Sequence, residues 1–181
     1  MSDKVVFDHT IEGLFIRGLG SRLSPRARQR LKEAGVDVDK RLLPAYPFNT
    51  WMTSLRIAAE ELHPGEPLDQ AMRKVGEAFI HGYRETLLGR AVLGVMSVLG
   101  PQRTLKRATQ NFRSGNNYTE ATVSDVSPGC ADLWMNEVGP YPTFTAGIIS
   151  AALTAAGSTP TVEVRGHDGH ACTFRVTWAS S

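Results

Sequence analysis

The sequence predicts an α+β fold, with N-terminal helices packed on a twisted antiparallel sheet of about four strands. Three observations carry this. Before Gly115 apolar residues recur at helical spacing; beyond it, alternating stretches bracket a single helical one; and Pro and Gly stand where helix ends and tight turns need them. No repeat, low-complexity tract or long linker divides the 181 residues. One domain, 1–181, is expected, mainly helical over 1–113 and sheet-containing over 114–181.

Ile11, Leu14, Phe15 and Leu19 space as a first short helix before the Gly18–Gly20 break. Ser24-Pro25 supplies an N-cap with proline at the first helical position, and Gly35 stands just past that helix's end. Pro44 and Pro47 frame a loop at Ala45-Tyr46, followed by a helix over 48–62 that stops at His63-Pro64-Gly65. A longer helix is predicted over 67–88, with Met72, Val75, Phe79, Gly82 and Thr86 on one side. Gly89 permits a break. A buried apolar helix over 90–99, Gly100-Pro101, and a basic helix to about Phe112 follow.

The remainder reads strand, strand, helix, strand, strand. The first two strands, 118–126 and 130–138, turn at Ser127-Pro128-Gly129, and the helix spans 143–156 with Gly157 as its C-cap. The last two, 161–165 and 171–178, meet through 166–170, where Asp168-Gly169 is the pair a tight hairpin prefers.

Composition is that of a globular domain, with 41% apolar and 21% charged residues. Twenty basic and 18 acidic side chains leave a formal charge of +2, which lends nucleic-acid binding no support. Two cysteines, Cys130 and Cys172, make no disulfide framework, although one bridge is open if their strands adjoin. The first nine residues lack the basic head and apolar run of a signal peptide. The most apolar stretch, 91–99, is about half the roughly 20 residues of a membrane span, so a cytoplasmic location is expected.

Phe144-Thr145-Ala146-Gly147, Ala155-Ala156-Gly157, Val162-Glu163-Val164 and Gly169-His170-Ala171-Cys172-Thr173-Phe174-Arg175-Val176 resemble the end of domains in a ligand-binding superfamily. It comprises 4-vinyl-reductase-like sensor domains, heme-NO-binding domains and TRAPP trafficking subunits. The resemblance implies helices on a twisted antiparallel sheet, frequent dimerisation and an apolar ligand. Over nearly its whole length the chain also resembles a myxobacterial paralogous family of proteins of similar size and unknown function. The residues that carry this are Ala45-Tyr46-Pro47, Gly76 with Phe79, Thr86 to Arg90, Leu99-Gly100-Pro101, Phe112 to Tyr118, and Val176-Thr177-Trp178. The chain departs from the heme-NO-binding pattern. The tyrosine–serine–arginine signature is absent around Tyr118-Thr119-Glu120-Ala121-Thr122, and no histidine occurs between His81 and His167. Vinyl-reductase-like domains often carry a cysteine shortly before the one matched by Cys172, and none lies in that loop here. Heme and zinc are therefore disfavoured and no cofactor is expected.

Large aromatics suit either a core or an apolar pocket, and the pocket candidates are Trp51, Tyr83, Phe112, Tyr118, Trp134 and Phe144. Arg103, Lys106, Arg107 and Arg113 concentrate positive charge on one helix, which suits docking to an acidic partner; Arg26, Arg28, Arg30 and Lys32 do so on another. His167, His170 and Cys172 are metal-capable but read first as a polar turn. Glu77, His81 and Glu85 share a helix face pointing to solvent or a partner. Gly18-Leu19-Gly20 lacks both the third glycine and the preceding strand of a phosphate loop, and no nucleophile stands beside an evident base. The small-residue stretch 146–156 suits close packing against the sheet or a homodimer. The expected function is a non-enzymatic sensory or regulatory module that binds a small apolar ligand or signals through a protein partner. The alternative is a homodimeric scaffold with a filled core and basic docking helices.

Overall fold

The structure is a computed structural model and describes residues 3–179; Met1 and Ser2 of the stretch read for a leader lie outside the described residues, as do Ser180 and Ser181. Strand β1 (Val5–Phe7) runs directly into α1 (Asp8–Ile11), which widens into a π-helical segment, Glu12–Gly18. After a 3-10 turn comes α2 (Pro25–Glu33), capped as the sequence predicts, with the Ser24 hydroxyl accepting from the Ala27 N–H at 3.0 Å. The segment framed by Pro44 and Pro47 is not a loop but a short strand, β2 (Ala45–Pro47), antiparallel to β1. A three-residue strand that ends on a proline is too short for alternation to show.

Helices α3 (Phe48–Leu62) and α4 (Leu68–Tyr83) follow, then α5 (Leu87–Lys106), kinked where Gly100 adopts φ 74° ahead of Pro101, and α6 (Ala108–Arg113). The break between α4 and α5 falls at 84–86, not at Gly89. Thr86 ends the predicted face because it caps the next helix, its hydroxyl accepting from the Gly89 N–H at 2.9 Å. Gly89 is needed for closeness: a Cβ there would lie 1.8 Å from the Tyr83 carbonyl oxygen.

Strands β3 (Ala121–Ser127) and β4 (Cys130–Met135), helix α7 (Pro142–Ala155), and strands β5 (Pro160–His167) and β6 (Cys172–Trp178) complete the predicted order. All neighbours in the sheet β3-β4-β6-β5 are antiparallel. Cys130 pairs across to Thr177 and Cys172 to Met135, so the thiols are separated along the ladder, and both are free.

Two apolar clusters form. One gathers Ile11, Leu14, Phe15, Leu55, Met72 and Val75 among the helices. The other packs Leu153 of α7 on the sheet's inner residues Leu133, Met135, Phe174 and Val176. α4 and α7 join the two. A Cβ at Gly76 would stand 2.1 Å from the Phe144 oxygen, and one at Gly147 would stand 2.2 Å from the Arg73 oxygen. The two backbones therefore touch, and nothing larger than glycine fits at either crossing point.

Candidate functional site

Between α3, α4, α5, α7 and the inner face of the sheet lies an apolar cavity of about 130 Å³. Trp51, Phe79 and Phe144 form one side; Trp51 meets Phe144 edge-on at 5.8 Å between centroids. Val92, Leu93 and Met96 of α5 form the opposite side.

Five of the six sequence-predicted pocket aromatics line this cavity: Trp51, Tyr83, Phe112, Tyr118 and Phe144. Trp134 does not. It stands 39% exposed on the outer face of β4, between Thr122 and Thr173, because strand residues alternate faces and its neighbours Leu133 and Met135 take the inner one. The aliphatic and thioether wall (Met52, Val92, Leu93, Met96) is missed by a search for aromatics. Its signal is the uncharged run 91–100, too apolar for an ordinary surface helix.

Polar groups at the wall are largely committed to backbone. The Thr10 hydroxyl donates to the Gly115 carbonyl at 2.9 Å, Ser114 donates to the Asn111 carbonyl at 2.7 Å, and Asn116 Oδ1 accepts from the N–H groups of Tyr118 and Thr119. The Tyr83 hydroxyl reaches the Ser114 oxygen at 3.3 Å. Burial pushes the Tyr83 phenol up, with Ser114 drawing it partly back, and burial with nearby Glu137 pushes Tyr118 up further. Both are neutral hydroxyls near pH 7.

Glu137, its side chain 3% exposed, pins the cavity's far edge. It accepts from Lys4 Nζ at 2.5 Å and from the Gly139 N–H at 2.9 Å, and pairs with His170 Nδ1 at 3.2 Å. Burial alone would raise its pKa. The Lys4 and Gly139 hydrogen bonds, Lys4's charge and His170 outweigh that and hold the carboxyl below its ordinary range.

The other predicted groups do not converge. His167 Nε2 lies 2.8 Å from the Gly139 carbonyl and His170 faces Glu137, whereas Cys172 points inward from β6, 1% exposed. Cys172 and His170 do not share a face, because His170 belongs to the turn, outside the strand's alternation. Burial first, and Asp168's charge second, push the Cys172 thiol up to about 11. Among the described residues no three His, Cys, Asp or Glu side chains are placed to hold a metal ion. Glu77 and His81 lie on α4, but Glu85 falls in the turn beyond Tyr83, so the ladder is broken. Arg103, Lys106 and Arg107 are exposed. Arg113 is exposed as well, but donates to the Thr119 carbonyl at 3.0 Å. Among the described residues no helix is long and apolar enough to cross a membrane.

A family profile described as "Protein of unknown function (DUF2378)" matches residues 4–179. The chain belongs to this family. No curated protein matches it. Solved structures do match the DUF2378 chain. An H-NOX protein from S. oneidensis in the Fe(II)NO state superposes with TM-score 0.72 at 8% identity, covering 96% of this chain and 99% of that one. The Fe(II) unliganded H-NOX protein from K. algicida gives 0.69 at 11% identity, covering 96% of each. A third, described for heme redox potential and porphyrin distortion, gives 0.68 at 14% identity, covering 95% of each. The fold is thus the H-NOX fold.

These matches overturn the expectation of no cofactor, and with it the setting aside of heme. Histidine is only one of the axial ligands that heme iron accepts. Phenol and thioether groups also ligate heme iron, and Tyr83, Met52, Met96 and Met135 all line this cavity. The donor set fits a heme-type ligand in kind. The volume, as packed, does not fit a whole porphyrin: it is close to the roughly 150 Å³ of an engineered cavity that takes benzene.

Proposed function

We propose that this DUF2378 protein is a sensory module that binds an apolar ligand between α4, α5, α7 and the sheet and reports occupancy to a protein partner. The observation that carries it is the cavity itself. Six large aromatics, together with Val92, Leu93 and Met96 of α5, line an apolar space in a fold shared with ligand-binding H-NOX proteins. Interiors are ordinarily close-packed, and a void among such side chains forgoes dispersion contacts that a ligand restores. The reading is of binding rather than catalysis, because the wall's hydroxyl and amide groups hold backbone in place and leave no nucleophile beside a base.

Native mass spectrometry of the protein as purified, with its absorbance spectrum before and after hemin is added, tests the proposal. A bound mass lost on denaturation, or saturable uptake of benzene, is expected, with a Soret shift only if the α5 wall moves out to admit hemin; each is weakened when Leu93→Trp fills the space. Protein that carries no added mass and takes up neither hemin nor benzene would overturn the reading.

A further inference from the structure

Helix α5 has a second apolar side that none of the described residues covers. At 100° per residue Leu87, Ala91, Gly94, Val95 and Val98 fall within an arc of about 100°, and all five are exposed. Leu87 is 81% exposed and Val98 84%, while Leu93 and Met96 face the cavity from the opposite side of the same helix. The sequence predicts a buried helix here; the structure buries half of it. Large apolar side chains this exposed, in a contiguous stripe of about three turns, mark an interaction surface.

The charges around the stripe say what it takes. Arg84 and Arg90 stand at its start, and Arg103, Lys106 and Arg107 stand beyond the kink at Gly100; all five are exposed. Among the described residues none of the five has a carboxylate within 4.0 Å, whereas Arg26, Arg28 and Arg30 of α2 are each paired. A second copy docking through the same stripe would bring these cations face to face, since a twofold interface repeats one patch on both sides. A lipid surface wants Trp, Phe or Leu in number on the inserted face, and this one offers one leucine, two valines, an alanine and a glycine. Small residues at Ala91 and Gly94 instead let another backbone come close.

We infer that the outer face of α5 docks an amphipathic helix of a partner protein, apolar along one side and flanked by acidic residues. This deepens the sensor reading by naming its output surface: the helix that walls the cavity inside is the one the partner grips outside.

The test replaces Val98 with a photo-crosslinking amino acid in the full chain, in the cells that make it, and sequences the cross-linked peptide. Expected is an adduct to another protein, at a helical segment with apolar residues at i, i+3, i+4 and i+7 and net negative charge. Its yield falls about tenfold, equivalent to about 1.4 kcal/mol, when Arg103, Lys106 and Arg107 are changed to Glu and their surface charge pairing is lost. The same probe at Leu43, exposed in the loop before β2, gives no such adduct. The inference is overturned by an adduct to another copy of this chain, to lipid or to a basic segment, by equal yield from Leu43, or by no adduct. Because Val98 is exposed, an unchanged melting temperature separates lost docking from lost folding. An empty cavity with the expected adduct defeats the ligand reading alone.

Discussion

The two walls of the cavity are built differently. The wall of α4, α7 and the sheet is fastened backbone to backbone: Gly76 and Gly147 bring two helices into direct contact, and Glu137 ties the end of β4 to Lys4 and to the β5–β6 hairpin. The α5 wall is held by Leu93 and Met96 on one side, is bare on the other, and is interrupted by Gly100 at φ 74°. A ligand displaces whichever wall yields first. Few buried contacts put a segment at the low end of local stability, so under the proposed function α5 is the wall expected to respond to a ligand.

The largest break in this comparison comes from Gly76→Ala. The new methyl would sit 2.1 Å from the Phe144 carbonyl, where only backbone movement makes room. Overpacking of this kind costs about 3 kcal/mol or more, and a urea unfolding curve should show it as a large fall in midpoint. A shift below about 0.5 kcal/mol would mean that α4 and α7 slide apart easily and that the rigid wall is not rigid. Next in size is the contrast in native-state hydrogen exchange. Amides of α4 should open only with the whole protein, whereas those over 90–99 should open at least about 2 kcal/mol sooner. Equal protection would put both walls in one cooperative unit.

Reading the sequence located most of the fixed wall and little of the yielding one. Ser24-Pro25, the α3 limits and the strand–strand–helix–strand–strand order are legible because caps, prolines and alternation are local signals. The five lining aromatics were legible as large apolar groups, but Trp134 shows that size does not choose a face; register does. The α5 run misleads because apolar periodicity reports what a side chain is and not what covers it. Heme is disfavoured in the sequence by the missing tyrosine–serine–arginine signature and the missing histidine, whereas the phenol and thioethers that line the cavity come from α3, α4, α5 and β4, an assembly no spacing encodes.

Glu137 gives the fixed wall a pH limit. Its folded pKa lies below the unfolded value near 4.5, so its contribution is complete above that value and is lost as the pH falls through the folded one. Glu137→Gln should cost about 1.5 kcal/mol at neutral pH, in the range of charge-assisted hydrogen bonds. The gap from the parent should close as the pH falls below about 4.5. A gap that stays constant with pH would mean the carboxylate's charge does not hold this edge.

The smallest effect has the opposite sign and bears on both sides of α5 at once. Gly94 is helical and exposed, and among the described residues a Cβ there would meet nothing within 4 Å, so no contact they make asks for glycine. Gly94→Ala should stabilise the helix by about 0.5 to 1 kcal/mol, since glycine loses more conformational freedom on folding. A gain in melting temperature with unchanged partner cross-linking at Val98 would show the glycine to be incidental. A gain accompanied by weaker cross-linking would mean that the chain keeps a less stable helix because a partner's backbone occupies the space above Gly94. A loss of stability instead would place a contact over Gly94 within the chain itself, and the outer face of α5 would then not be bare.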